Sequence, residues 1–396
     1  MFLHLRQRWH EGDIKLRIIK KVIAAVVIII SVFILPACEN KKEVTEYDES
    51  KPFTITFITV GKGDAFLLTM PDGSNYMVDT GKEEDFIQIG RVLKEKKVSE
   101  LEGIFLSHGH LDHTGSLKGI VNTFDVKKIY MSEKDNISYK KADVKELISG
   151  TKTEIQYLKG GETFDLGGVT AHIWIPEITD RENENNNSVV MKLVYGNTSC
   201  LMTGDMELEE EMLYLKENKD VKADILKLGH HGETDATSDK MLEKVKPLYG
   251  IICGNEEENT ESVTSEMKDR LDKYNVNTFY SDPLHISVDF ILNGRKIEIE
   301  YNDNKEINVE SSIKVSDYSR KHGNVTIENS GEEDICISDY IIVSYKEREN
   351  YVVPDNTTVK SGESLLLDTG KMWKKKDKVL LYDDNFNFIN IYDKDD

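Results

Sequence analysis

The sequence predicts an α/β layered domain followed by an all-β sandwich. From Pro52 to about Asn302, β-rich runs alternate with segments whose apolar residues recur at helical spacing. From about Ser312 onward, short β-runs are separated by turn-formers, without helical periodicity. The densest group of chemistry-bearing side chains, His108-Gly109-His110-Leu111-Asp112-His113, lies between an apolar strand-like run and a helix. Ligand sites in α/β proteins favour that position.

The chain of 396 residues has room for two or three domains. Its first segment reads as a leader. Val22 to Leu35 is an apolar run broken only by Ser31, preceded by Arg6, Arg8, Lys15, Arg17, Lys20 and Lys21. That is short for a membrane span and suits a signal-peptide core. It ends in Leu35-Pro36-Ala37-Cys38, which resembles a bacterial lipobox. Residues 1–37 are therefore expected to be a lipoprotein signal peptide, with lipid on Cys38 as the membrane anchor; an uncleaved N-terminal anchor is the alternative. Both place the remainder outside the cytoplasmic membrane. Residues 38–51 are charged and read as a tether reaching on the order of 20 Å.

Residues 52–305 form the expected α/β domain. Phe53-Thr54-Ile55-Thr56-Phe57-Ile58, Ala65 to Leu68 and Tyr76 to Val78 are β-rich. Phe86, Ile89, Val92 and Leu93 mark a helix, Ile104-Phe105-Leu106 a buried strand, and Leu117, Ile120, Val121 and Phe124 a second helix. Strands follow at Val189 to Val194, Ser199 to Met202, Ile225 to Leu228 and Ile251 to Cys253. Val263, Met267 and Leu271 mark another helix, and Ile297 to Glu300 alternates as a closing strand. This mixture gives layers of helix and sheet over about 250 residues.

Residues 312–396 form the second domain. Val325 to Ile327, Ile335 to Ile337, Tyr340 to Val343, Tyr351 to Val353, Ser364 to Leu367, Val379 to Leu381 and Phe388 to Ile391 are short strands between turns such as Asn329-Ser330-Gly331 and Asp383-Asp384-Asn385. So many short strands in about eighty residues read as a β-sandwich. Beyond Cys38 the cysteines are Cys200, Cys253 and Cys336, an odd, scattered set that makes no disulfide framework.

Formal net charge is −21, and the basic leader hides part of the imbalance. Such a surface repels polyanions at long range and excludes a general nucleic-acid coat. It does not exclude a phosphate ester bound at a local cluster of cations, whose charge dominates there.

The cluster at His108, His110, Asp112 and His113 offers imidazole and carboxylate, which suit zinc, manganese or iron. With only ten histidines in the chain, three in six residues is not a solvated loop by accident. Other strand ends bring further groups. Leu201-Met202-Thr203-Gly204-Asp205 places a carboxylate just past a strand, where it can bridge two cations. Lys227-Leu228-Gly229-His230-His231-Gly232 places paired histidines there. Asp79 follows a strand and can orient a histidine from behind. Taken singly, Asp79 or Asp205 would be a turn or cap residue; repeated placement at strand ends gives them weight.

These motifs, His108 to His113 with Asp79, Gly204-Asp205 and His230-His231-Gly232, resemble the metallo-β-lactamase superfamily, whose fold is an αββα sandwich with metals at one edge of two facing sheets. Val60-Gly61-Lys62-Gly63-Asp64-Ala65 resembles the V-G-Q-G-D-A opening of the ComEC-like branch, as does an asparagine-rich stretch before Ser188-Val189-Val190. The resemblance implies that His108 and His110 hold one divalent ion, zinc by default or manganese. Asp112, His113 and one of His230 and His231 hold a second, and Asp205 bridges. Asp112, His230 and His231 are then the catalytic candidates, with Asp79 and Asp64 behind the ligands. Two departures stand out: Asn185, Asn186 and Asn187 occupy the region where many members carry a further histidine, and Lys62 replaces the usual glutamine. His172 is expected to be a structural strand residue, and His285 a loop histidine or one that reaches the site. The C-terminal motifs Val325 to Gly331, Ile337-Ser338-Asp339-Tyr340 and Val379 to Asp383 resemble a bacterial lamin-tail domain, implying an immunoglobulin-like sandwich that binds a surface partner or acts as a spacer.

The expected function is hydrolysis of a phosphoester by a metal-activated water, most simply a phosphodiesterase or nuclease acting on extracellular DNA. Alternatives are another phosphoester, such as a cell-wall teichoic acid decoration, or a non-catalytic surface protein with a structural metal. Structural zinc sites usually close with four protein ligands, fewer than are gathered here.

Overall fold

The computed structural model describes residues 47–133, 143–180, 182–255, 262–305, 307 and 309–394. The expected signal segment 1–37, the anchor Cys38 and the tether as far as residue 46 lie outside them. Among the described residues no helix is long and apolar enough to cross a membrane.

Two mixed sheets form the centre. The first runs in the order Ile297–Asp303, His285–Leu292, Phe53–Ile58, Ala65–Thr69, Asn75–Thr80, Gly103–Phe105, Lys128–Ser132 and Glu154–Leu158. Its last four strands are parallel and the rest antiparallel. The second runs Asn277–Tyr280, Tyr249–Ile252, Ile225–Lys227, Thr198–Met202, Val190–Tyr195, Val169–Trp174 and Thr163–Leu166. Its first four are parallel.

The period-2 geometry of strands explains how these sheets face each other. Phe53, Ile55 and Phe57 point inward to meet Ala171, Ile173, Leu193, Cys200, Met202 and Ile251 of the other sheet in one core. The opposite faces carry helices. Phe86–Glu95 buries Phe86, Ile89, Val92 and Leu93, and Leu117–Thr123 buries Leu117, Ile120 and Val121 against the first sheet. Helices Asp239–Val245 and Ser265–Lys273 cover the second sheet. Each is started by a side-chain cap, Ser238 on the Met241 amide (3.1 Å) and Thr264 on the Met267 amide (3.2 Å). The result is the expected αββα sandwich. Strands Asn277–Tyr280 and His285–Leu292 and helix Leu208–Glu217 were not among the elements expected from the sequence.

The C-terminal region is all-β. Ile313–Ser319, Asn324–Asn329 and Ser364–Asp368 form one sheet, and Asn350–Val352, Ile341–Ser344, Lys378–Tyr382 and Phe388–Asp393 another, around Val325, Ile327, Ile342, Trp373 and Leu381. This region is fastened to the first-sheet helices. Phe386 packs edge-on against Phe86 (5.3 Å between centroids) and stacks over Phe124 (6.2 Å). A Cβ at Gly90 would lie 2.1 Å from the Phe386 ring, so only glycine admits this approach. At the other end, the last tether residues are held to the domain: Tyr195 Oη lies within hydrogen-bond distance of the carbonyls of Asp48 (2.9 Å) and Lys51 (2.7 Å), which share its one proton.

Candidate metal centre

Loops from the same edge of both sheets converge. From the first sheet come Asp64, Asp79 and the 108–113 run; from the second come Asp205, Lys227, His231 and the Cys253 carbonyl. The close approach needs Gly204, at φ +53, because a Cβ there would sit 2.8 Å from Ser107 Cβ and Ser188 Oγ. Ser188 Oγ also accepts from the Asp205 amide (3.0 Å), which sets that loop.

Asp64, His113, Asp205 and His231 each offer a ligand atom within 4.8 Å of the others, and Asp112 adjoins this set through His231. Asp205 Oδ2 lies 3.1 Å from His113 Nε2 and 3.0 Å from His231 Nε2, and Asp112 Oδ2 lies 3.2 Å from His231 Nε2. Donors arranged tetrahedrally about 2.0–2.1 Å from one ion stand roughly 3.3 Å apart. His231 Nε2 is buried and makes no well-directed hydrogen bond of its own. The residues present therefore fit a divalent cation. A second, poorer set adjoins it: His108 Nε2 and His110 Nδ1 are 3.0 Å apart, and His108 Nε2 is 4.0 Å from the shared Asp205 Oδ2.

Each imidazole is turned by a partner on its other side. His113 Nδ1 meets Asp79 Oδ2 at 2.8 Å, and Asp79 itself is held by the Ser107 amide (2.7 Å) and hydroxyl (2.6 Å). His231 Nδ1 donates to the Cys253 carbonyl at 2.9 Å, and His110 Nε2 meets Glu184 Oε2 at 2.6 Å. Such partners fix tautomer and ring orientation.

Only His231 of the histidine pair joins the donor set. Both residues have left-handed backbone, φ 42 for His230 and 54 for His231, a conformation of the kind that gathers at functional sites. His230 turns to the rim, with Nδ1 3.0 Å from Asp235 and Nε2 3.3 Å from Asn185 Nδ2. Asp64 Oδ2 pairs with Lys227 Nζ at 2.7 Å and lies 3.9 Å from His113 Nδ1, while Asp64 Oδ1 lies 3.4 Å from His231 Nδ1, so this carboxylate approaches both rings from the side opposite Nε2 although it is close to the donors. His172 is exposed on strand Val169–Trp174, beside Thr163 Oγ1. His285 opens strand His285–Leu292, rather than lying in a loop, and packs on Tyr301. Asn186 and Asn187 are engaged with Asp180 and Glu207; Asn185 and Asn183 hold the Glu207 carboxylate.

The sequence reading missed Lys227 and Glu184. Lys227 is 1% exposed and gives its three protons to Gly204 O (2.7 Å), Asp64 Oδ2 (2.7 Å) and Asp205 Oδ1 (3.1 Å). Its apolar neighbours Ile225, Leu226 and Leu228 hid it; a lysine in a buried strand was the available signal.

The electrostatics favour bound positive charge. Asp64, Asp79 and Asp205 are buried with Asp112 beside them, and Lys227 is the buried lysine among them. Burial opposes charge on His231, yet Asp205, Asp112 and Asp64 hold its pKa up, to about 10. His113 is likewise raised against burial by Asp205, Asp64 and Asp79. Burial opposes ionisation of Asp112, but the close approach of His231 and the charge of His113 hold it well below the usual carboxylate range. Burial, then the neighbouring His113, pushes His108 down, which keeps it a neutral imidazole suited to ligation.

The sequence pattern of the metallo-beta-lactamase superfamily matches residues 58–254, a span that contains every donor described above. The chain carries a metallo-β-lactamase domain. Its relatives include ComE operon protein 3 of Bacillus subtilis, 23% identical over 245 residues, covering 58% of this chain and 32% of that protein. Recombination protein 2 of Haemophilus influenzae is 25% identical over 209 residues, 51% of this chain and 24% of that protein. Competence protein ComA of Neisseria gonorrhoeae is 21% identical over 245 residues, 62% and 31%. The chain thus spans about a third or less of these relatives. Among solved structures, the metallo-beta-lactamase fold protein YhfI from Bacillus subtilis aligns with a TM-score of 0.41 at 15% identity, over 58% of this chain and 96% of that one. The metallo-β-lactamase domain and its buried Asp/His cluster are consistent with a metal-dependent hydrolase.

Proposed function

We propose that this protein is an exported, membrane-tethered phosphodiesterase that acts on nucleic acid. What carries the reading is the uneven burial of the donor set and its rim. His108, His113, His231 and Asp205 have side chains 0–2% exposed, whereas those of His110 (27%), Asp112 (26%) and His230 (18%) open to one side. A structural site would close around its ion; this one leaves a face for a substrate.

His113, His231, Asp112 and Asp205 would hold one divalent ion, and His108 and His110 a second that shares Asp205. Ions so held supply an acidified water and neutralise charge on a phosphoryl oxygen. Asp79 and the Cys253 carbonyl keep the Nε2 atoms of His113 and His231 aimed inward. Lys227 occupies Asp205 Oδ1, so that carboxylate presents only Oδ2. His230 is held at Nδ1 by Asp235; delivery of a proton from its Nε2 to the leaving oxygen requires the Asn185 amide, which here donates to that atom, to turn away.

The names of the relatives, competence and recombination proteins, support nucleic acid as the phosphodiester. The acidic surface, net −21, favours a short or wall-held phosphoester as the second reading. The lipid on Cys38 and a surface partner for the all-β C-terminal region, read as a lamin-tail-like spacer, belong to the same proposal.

The test is hydrolysis of single-stranded DNA, bis-p-nitrophenyl phosphate and p-nitrophenyl-phosphorylcholine by the protein loaded with zinc or manganese. DNA cleavage supports the first reading, and cleavage of the choline ester alone supports the second. No hydrolysis with any divalent ion overturns both.

A further inference from the structure

The open face of the metal centre is rimmed by carboxylates. Glu184 meets His110 at 2.6 Å, while Glu207 (3.6 Å), Glu233 (3.8 Å) and Asp235 (3.0 Å) surround His230 Nδ1. An anionic substrate approaching this face meets like charge before it reaches a cation. One side chain at the rim has the opposite sign. Lys62 Nζ pairs with Glu233 Oε1 at 2.9 Å, and its side chain is 29% exposed.

The backbone holds Lys62 across the opening. On one side the adjoining Asp64 amide donates to the Asp112 carbonyl at 3.0 Å. On the other, the Ser281 hydroxyl donates to the Gly61 carbonyl at 3.0 Å, and the Gly63 amide to the Cys253 carbonyl at 3.4 Å. The side chain then reaches Glu233, two residues beyond His231. Lys62 therefore runs from the Asp112 loop to the His231 loop, and its charge is felt by both Asp112 and Asp205. Lys227 cannot serve an incoming anion, because it is buried with its protons committed.

We infer that Lys62 is a specificity-determining residue that binds a non-reacting phosphoryl oxygen of the substrate at the mouth of the metal centre. This rests on the phosphodiesterase reading and narrows it. A lysine ammonium is a mobile point charge suited to phosphate, and exchanging Glu233 for a phosphoryl oxygen keeps it paired throughout. Glutamine, the residue in the pattern this loop resembles, fills the same position with a hydrogen-bonding side chain but no charge. Lys62 thus tunes the mouth toward substrates with an extra anionic group.

The experiment compares wild type with Lys62→Gln, Lys62→Glu and Lys62→Arg, all metal-loaded and checked for equal metal content and thermal midpoint. Kinetics on bis-p-nitrophenyl phosphate are measured beside calorimetric binding of inorganic phosphate. The expected result is about a ten-fold rise in KM and a matching loss of phosphate affinity in Lys62→Gln, the range of a lost charge-assisted hydrogen bond. The loss is larger in Lys62→Glu, lies mainly in KM rather than kcat, and is restored by Lys62→Arg. Unchanged KM and phosphate affinity in Lys62→Gln overturn the inference, as does a wild type that binds no phosphate. A wild type that binds phosphate through Lys62 but cleaves no phosphodiester overturns the activity and leaves Lys62 as an anion-binding residue.

Discussion

Lys227 Nζ lies 3.1 Å from Asp205 Oδ1, on the side of that carboxylate opposite the imidazoles. The pair, with Asp64 as the second anion, is buried to within 1–2% exposure. It spends one oxygen of Asp205 on a fixed protein cation and leaves the other for the donor set. Burial works against the lysine charge, but Asp64 and Asp205 raise its pKa above the ordinary value, so it stays protonated.

Replacing Lys227 by Met removes that charge and strands two buried carboxylates. Breaking a buried pair in this way costs about 3–5 kcal/mol. Urea unfolding of the metal-free Lys227→Met protein should show a loss of that order. A change within experimental error would mean that protonated His113 and His231, rather than Lys227, neutralise the two aspartates.

The histidine pair separates two roles. His231→Ala removes a buried donor, so metal content after dialysis should fall. His230→Ala should keep its metal while hydrolysis slows by roughly 10²–10⁴-fold, the range for a positioned proton donor. Equal metal loss in both variants would sink this division.

Asp79→Asn keeps the shape of the residue behind His113 but removes its charge. Loss of such an orienting carboxylate typically weakens metal affinity about 10–100-fold. A competition titration with a chromophoric chelator measures this, and unchanged affinity would show that the Ser107 hydroxyl, 3.2 Å from His113 Nδ1, suffices to hold the ring.

Metal removal should lower the thermal midpoint. A ligand bound only by the folded state adds about 2.7 kcal/mol at a hundred times its Kd. Buried Asp64, Asp79 and Asp205, with Asp112 beside them, outnumber the one lysine buried among them, which makes the effect large. Differential scanning calorimetry with chelator, then with excess zinc or manganese, checks it; identical midpoints would deny a cation site.

Phe386 couples the C-terminal region to the first-sheet helices. Phe386→Ala empties the space beside Gly90, Phe86 and Phe124, at a cost of about 3–5 kcal/mol. Unfolding should become less cooperative, with the C-terminal region melting first, while metal content is kept. A single unshifted transition would contradict this coupling.

Much of the fold was legible because strand and helix periods are local properties. Phe53–Ile58 and Phe86–Glu95 announce themselves by which neighbours are apolar. Strand His285–Leu292 does carry a period of two, Ile286, Val288, Phe290 and Leu292 alternating with Ser287 and Asp289, but the turn-formers Asp282 and Pro283 just before it made the stretch read as a loop. The helix at Leu208–Glu217 was obscured by exposed Leu208, Met212 and Leu213. The candidate site was legible wherever ligand-type residues recur at strand ends, as at His108 to His113, Asp205 and the His230–His231 pair.

By itself the sequence determined a layered α/β region followed by an all-β one, the strand ends that carry the polar loops, and the residue types there; its resemblance to the metallo-β-lactamase superfamily supplied the αββα arrangement. Tertiary structure alone decided which of two adjacent histidines faces Asp205, that Asp64 answers Lys227 rather than joining the donors, and that Lys62 crosses the mouth. The physical reason is distance along the chain. Periodicity and strand-end placement are set by neighbours in sequence, whereas the direction of a side chain in a loop is set by what another sheet brings to it. The Cys253 carbonyl turns His231 inward, and Asp235 and Asn185 draw His230 to the rim.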